Sequence, residues 1–201
     1  QAKTLFPYTT LFRSFEANSA LDWLFENAFR DHGLPDPADR CTIRHLAEIP
    51  DAQENSAHRL VVLSIASCVF RIVVLFDFAA DEASAAYLAR ISRSSEPTLQ
   101  GQALTDACTE FANMICGAVN RGLCTEFRLA GMSTPFVLES TCANHLSILN
   151  PEQVRHYQAT INGKTCIGFT VCLCTNDDTT LDFHIDRARQ PVEANGELEW
   201  F

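Results

Sequence analysis

Between Leu104 and Val119 the apolar residues Leu104, Ala107, Cys108, Phe111, Ile115, Ala118 and Val119 recur at three- and four-residue intervals. That spacing suits a helix with one buried face and suits no strand. It predicts a helix over about residues 101–121, closed by Gly122. A helix of this length needs a broad apolar surface to lie on. Its opposite side carries a second stripe, because Asp106, Glu110, Asn113 and Gly117 are spaced by four, three and four residues. Gly117 is costly in mid-helix, by about 1 kcal/mol relative to Ala. Its missing side chain would let another surface come close. On spacing alone the simpler reading is a solvated helix back with an incidental Glu and Asn.

The surface the helix needs is written in the strand-like runs. Arg59 to Ile65 and Val69 to Phe78 are rich in β-branched and aromatic residues and read as two strands. Cys41 to Ile49 has strand or mixed character, and Asp51 to Ser56 reads as a polar loop. Strand-like segments follow at Thr125–Ala130 and, after the turn Gly131-Met132-Ser133-Thr134-Pro135, at Phe136–Leu138. Val154–Ile161 and Thr165–Cys174 flank Asn162-Gly163, the strongest short hairpin signal in the chain. Leu181–Ile185 reads as a last strand. An N-terminal helix is expected from a cap at Asn18 or Ser19 to a stop at Gly33, with Leu21, Leu24, Phe25, Ala28 and Phe29 on its apolar face. A shorter helix opens at Asp81-Glu82 and carries Ala85, Ala86, Leu88, Ala89 and Ile91. Groups of strands separated by a helix pair predict an α+β fold, a largely antiparallel sheet with two long helices packed on one face.

Composition narrows the class of function. Thr4 to Ser14 reads like the in-frame translation of a sequencing adaptor, so residues 1–14 are expected to lie outside the domain, which would span 15–186 with a tail at 187–201. The net charge is −10, and Lys3 and Arg13 both fall in the adaptor-like segment, so the remainder is more acidic still. That balance argues against nucleic acid or an anionic membrane as partner. The longest apolar run, Leu60 to Phe70, is too short to span a bilayer. The cysteines number nine, with no Cys-x-x-Cys pair. They read as reduced, buried thiols of a cytoplasmic protein. Asp182, His184 and Asp186 alternate on one strand-like face and would suit a divalent metal, but a solvated strand face is the simpler reading. No Gly-rich phosphate loop and no Gly-x-Ser-x-Gly elbow occurs.

The pattern Asp106-x-x-x-Glu110-x-x-Asn113, followed by Met114, Ile115 and Gly117 with Pro135 downstream, resembles the CheC/CheX/FliY family of chemotaxis phosphatases. The single copy of the motif is closest to CheX-like members. The order of the surrounding elements agrees over roughly residues 15–185. Two features depart from the family: Pro135 stands one residue nearer to Asn113, and Ala66-Ser67-Cys68 occupies a region where such proteins often have glycines.

The resemblance implies a phosphatase that hydrolyses the aspartyl phosphate of a CheY-like response-regulator receiver domain. Glu110 and Asn113 would be its catalytic pair, and Asp106, Gly117 and Pro135 would contact the partner. No cofactor would be bound by this chain, since the receiver supplies its own Mg²⁺. The work left to the phosphatase is then to position a water in line and order the partner's site. A carboxamide at Asn113 both donates and accepts hydrogen bonds, and an anionic Glu110 would pair with a cation of the receiver. A homodimer joined through the sheets is the expected assembly. The alternative is a receiver-binding or flagellar-switch scaffold of the same fold that does not turn over.

Overall fold

The β-branched runs pair at the centre of a seven-stranded antiparallel sheet. The computed structural model describes residues 8–47, 58–79 and 81–175, together with Phe183 and Ile185. Its strands are β1 (Cys41–Leu46), β2 (His58–Ala66), β3 (Phe70–Ala79), β4 (Gly131–Met132), β5 (Phe136–Leu138), β6 (Gln153–Ile161) and β7 (Thr165–Thr175). They lie in the order β1-β6-β7-β3-β2-β4, with β5 also on β2. The helices are α1 (Tyr8–His32), α2 (Glu82–Ile91) and α3 (Gly101–Leu123). The fold is therefore the α+β arrangement that the sequence predicts, with long helices on one face of an antiparallel sheet.

Alternation along the strands sorts the two faces. Val61, Leu63 and Ile65 of β2, Ile72, Val74, Phe76 and Phe78 of β3, and Ile167, Phe169 and Val171 of β7 point to the helices and form the main core. Leu60, Val62, Val73, Leu75 and Cys172 point the other way. They are covered by Ala143, Leu146 and Leu149 of a 3-10 segment, Ser140–Leu149. The sequence reading did not foresee this second layer, because short 3-10 turns carry no long periodicity.

Local chemistry places the joints. Asn162 and Gly163 both adopt positive φ, 52° and 68°, the backbone that a tight hairpin between right-twisted strands requires. The Asn162 carboxamide also accepts from the Arg40 N–H at 2.9 Å and donates to Asp39 Oδ1 at 2.6 Å, which ties the hairpin to the link before β1. That bond, with Arg90 beside it, holds the Asp39 carboxyl below its usual range. Asp81 caps α2 by accepting from the Ser84 N–H at 2.7 Å. Gly33 ends α1, and a Cβ there would stand 2.6 Å from the Phe29 carbonyl oxygen.

Three local expectations are corrected. α1 does not begin at a cap on Asn18 or Ser19 but runs back to Tyr8, since nothing from Tyr8 to Ser19 is a Pro or Gly that would break it. Thr125–Ala130 is turn rather than strand: the N–H groups of Thr125, Glu126 and Phe127 bond back to the carbonyls of Gly122 and Leu123 as α3 unwinds. Gly122 does not close α3, which ends at Leu123. Instead a Cβ on Gly122 would run into Leu24 Cδ2, so this glycine lets α1 and α3 cross closely. Asp51–Ser56, Asp182, His184, Asp186 and the tail from Arg187 lie outside the described residues.

Replacing Gly122 by Val should overpack that crossing and cost about 1–3 kcal/mol, read as a lower urea midpoint at unchanged m-value.

Candidate functional site

The inner face of α3 is fully engaged. Phe111, Ile115, Cys116 and Val119 have no accessible surface, and Leu104, Ala107 and Cys108 are buried beside them. The Phe111 ring packs edge-on against Phe29 of α1 at 5.7 Å, Phe78 of β3 at 5.9 Å and Tyr87 of α2 at 5.9 Å between centroids. With that face pinned, the positions opposite must face outward. Asp106 and Glu110 are exposed, while Asn113 and Gly117 are half-buried. One outward stripe thus gathers all four helix residues that the sequence singles out.

The members of the stripe differ in how they are held. Asp106 Oδ1 accepts a 2.7 Å hydrogen bond from Gln102 Nε2, one turn back. Among the described residues, Glu110 and Asn113 have no side-chain hydrogen bond or ion pair, so both are available to another molecule. Among the described residues an added Cβ at Gly117 would meet only the Arg121 guanidinium, at 3.7 Å. Packing within the chain therefore does not require glycine there, in contrast to Gly122 five residues on.

Arg121 is the residue that the sequence reading missed. It lies one turn beyond Gly117 on the same stripe, and its guanidinium is 3.3 Å from His32 Nε2 at the end of α1. The i, i+4 relation to Gly117 was the signal for it. It adds a positive group at the C-terminal end of a stripe whose other charges are acidic.

Pro135 stands on a different element, the link between β4 and β5. That link is fixed to β2 at Ser133, whose hydroxyl oxygen accepts from the Ser64 N–H at 2.9 Å and whose N–H donates to the Ser64 carbonyl at 2.8 Å. Both β2 and β4 touch α3, so the link lies at the sheet edge beside that helix. Pro135 is half-buried there.

The cysteines offer no nucleophile at this site. Cys108 and Cys116 face inward from α3; burial pushes the Cys108 thiol up to about 12 and raises that of Cys116 further. Both stay protonated at neutral pH, and a thiol in that state is a poor nucleophile. The eight cysteines whose side chains are described form no disulfide. Among the described residues no group of three His, Cys, Asp or Glu side chains is arranged to hold a metal ion. None of the described helices is long and apolar enough to cross a membrane.

Neither a protein-family model nor a curated protein matches the sequence. Solved structures do match. A chain of the CheX–CheY–BeF3–Mg²⁺ complex from Borrelia burgdorferi aligns at TM-score 0.56 and 10% identity, over 78% of this chain and 96% of that one. A CheC-like superfamily protein from Shewanella sp. PV-4 aligns at TM-score 0.53 and 10% identity, over 77% and 97%. A chemotactic CheC-like protein from Shewanella oneidensis MR-1 aligns at 0.50 and 13%, over 79% and 97%. At such identities the likeness is one of fold, and the fold of this chain is CheX/CheC-like.

The outward stripe should be dispensable for stability. Glu110→Gln and Asn113→Ala are each expected to change the unfolding free energy by no more than about 0.5 kcal/mol, the usual range for surface positions. Gly117→Ala should stabilise by up to about 1 kcal/mol through helix propensity. Denaturant titration of the three variants checks both statements.

Proposed function

We propose that this chain accelerates hydrolysis of the aspartyl phosphate on a response-regulator receiver domain. The observation that carries the reading is the pair Glu110 and Asn113. They lie side by side on the outer stripe of α3, without partners among the described residues, on a CheX/CheC-like fold. The Borrelia burgdorferi structure, a complex of CheX with CheY, supports a receiver as partner.

An acyl phosphate is a mixed anhydride and so already activated, and the barrier left to lower is the placement of a water in line with the breaking P–O bond. The Asn113 carboxamide suits that task. Its oxygen accepts a hydrogen bond from the water and its NH₂ donates to the phosphoryl group or the partner's backbone. The Glu110 carboxylate pairs with a cationic side chain of the receiver and sets the docking register. Gly117 allows close backbone approach, Asp106 extends the acidic end of the contact, and Pro135 shapes its edge. The Mg²⁺ belongs to the receiver, and no covalent intermediate forms on this chain.

The reading includes a homodimer. Among the described residues β5 pairs only with β2 and leaves Phe136, Val137 and Leu138 38–49% exposed at the sheet edge, where an unpaired strand favours another chain. Sedimentation of the full chain should give twice the monomer mass at micromolar concentration, and a strict monomer would remove this element.

Loss of phosphate from a phosphorylated CheY-like receiver, with and without this protein, tests the function. Asn113→Ala should reduce the acceleration by about 100-fold or more while binding is nearly unchanged, the usual scale for losing a positioned polar group at a reacting centre. Glu110→Lys should weaken docking by about tenfold or more, because it reverses one charge of an interfacial pair. We also propose that residues 1–14 are foreign to the domain, so a chain beginning at Phe15 should keep full acceleration. A wild-type protein that binds receivers yet leaves their decay unchanged would be a scaffold.

A further inference from the structure

The opposite face of the sheet carries a second constellation that the phosphatase chemistry leaves unused. Its centre is Gly168, which pairs with Asp77 on β3 and with Gln158 on β6. One row along, Thr170 pairs with Leu75 and His156. By strand alternation all of these point away from the helices, toward the 3-10 segment. Between that segment and the sheet lies a cavity of about 200 Å³.

The polar groups of the cavity are held in two pairs. His58 Nδ1 lies 2.7 Å from Asp77 Oδ1, and His156 Nδ1 lies 2.9 Å from Thr170 Oγ1. Among the described residues each imidazole is held through Nδ1 alone, which leaves its Nε2 for another molecule, and the second Asp77 oxygen is likewise left over. Burial lowers the His156 pKa, so its imidazole is held neutral. All four residues line the cavity.

Gly168 makes the hollow without being needed by the packing. A Cβ there would come no closer than 3.6 Å to Asp77 Cβ and 4.0 Å to Asp77 Oδ2, ordinary contact distances, and its φ is not in the left-handed region. Alanine would fit. A glycine inside a central strand weakens it, and one reason for its use is close approach by a ligand.

The chemistry of the lining selects the ligand class. Among the described residues no Lys or Arg lines the cavity and one carboxylate does, which disfavours anions. No three ligating side chains among the described residues are arranged to hold a metal ion there, which disfavours one. Leu60 and Leu75 supply aliphatic wall on the β3–β2 side of Gly168. A cavity of about 150 Å³ accepts benzene, so this one has room for a substituted ring. We propose that the hollow over Gly168 binds a small planar heterocycle of nucleobase size, with ring N–H groups donating to the Asp77 carboxylate and to His58 Nε2, whose Nδ1–H is engaged by Asp77.

The test is titration of the full chain with adenine, hypoxanthine and cytosine, followed by ¹H–¹⁵N NMR, with benzene as the apolar control. At least one base should saturate with Kd below 1 mM and shift the amides around Gly168 and Thr170. Gly168→Val, which fills the hollow, should abolish that binding, and Asp77→Asn should weaken it at least tenfold. Both should leave the acceleration of receiver dephosphorylation unchanged, since the site lies across the sheet from α3. If Gly168→Val does not fold, Gly168→Ala and His156→Gln carry the same expectation of at least tenfold weaker binding. No saturable shift with any base, binding that survives in the folded variants, or benzene binding as tightly as the bases would each overturn the proposal.

Discussion

Phe111 lies where three helices meet the sheet, with its ring edge-on to Phe29, Phe78 and Tyr87 and no surface left to water. Phe29 in turn stacks on Phe169 at 5.1 Å, and Phe169 on Tyr157 at 4.6 Å, so one aromatic chain runs from α3 across the sheet to β6. Truncating such a ring costs about 3–5 kcal/mol, a large part of the 5–15 kcal/mol that holds a typical domain together. The geometric consequence matters as much. Helical spacing converts a pinned Phe111 into an outward Glu110 on the preceding residue and an outward Asn113 two residues later. The aim of the candidate site is therefore decided by the core.

Two further contacts tune that aim. Gly122 lets α1 pass close to α3, which brings His32 within reach of Arg121. On the far side of α1, Asp22 accepts from Tyr157 Oη at 2.5 Å and from Arg155 at 2.9 Å, which fastens the helix to β6. The helix layer is thus tied at both ends, by a close backbone crossing and by a half-buried polar network. The same alternation that sends Phe76 and Phe78 of β3 inward sends Asp77 outward. One strand serves the core beneath the stripe and the cavity under the 3-10 segment.

Much of this was legible in the chain itself. The 3.6-residue stripe of α3, the β-branched runs of β2 and β3, the opening of α2 at Asp81-Glu82, and Asn162-Gly163 as a hairpin all act through neighbours in sequence, and each stands as read. The misreadings have a common cause. Gly122 looks like a helix stop, because in sequence nothing shows that Leu24 occupies the space beside it. Thr125–Ala130 looks like a strand, yet α3's last carbonyls capture its N–H groups. Gly168 drew no notice, since its partners Asp77 and Gln158 are distant along the chain and adjacent only through strand register.

The sequence by itself determined the α+β class, the buried and outward faces of α3, and the presence of Glu110, Asn113 and Gly117 on one stripe, because periodicity depends only on local backbone geometry. Tertiary structure alone decided that Glu110 and Asn113 stand without partners among the described residues, that Arg121 reaches His32, and that His58, His156 and Asp77 surround a hollow. Those are properties of space between elements, and they arise only when register and helix crossing bring remote residues together.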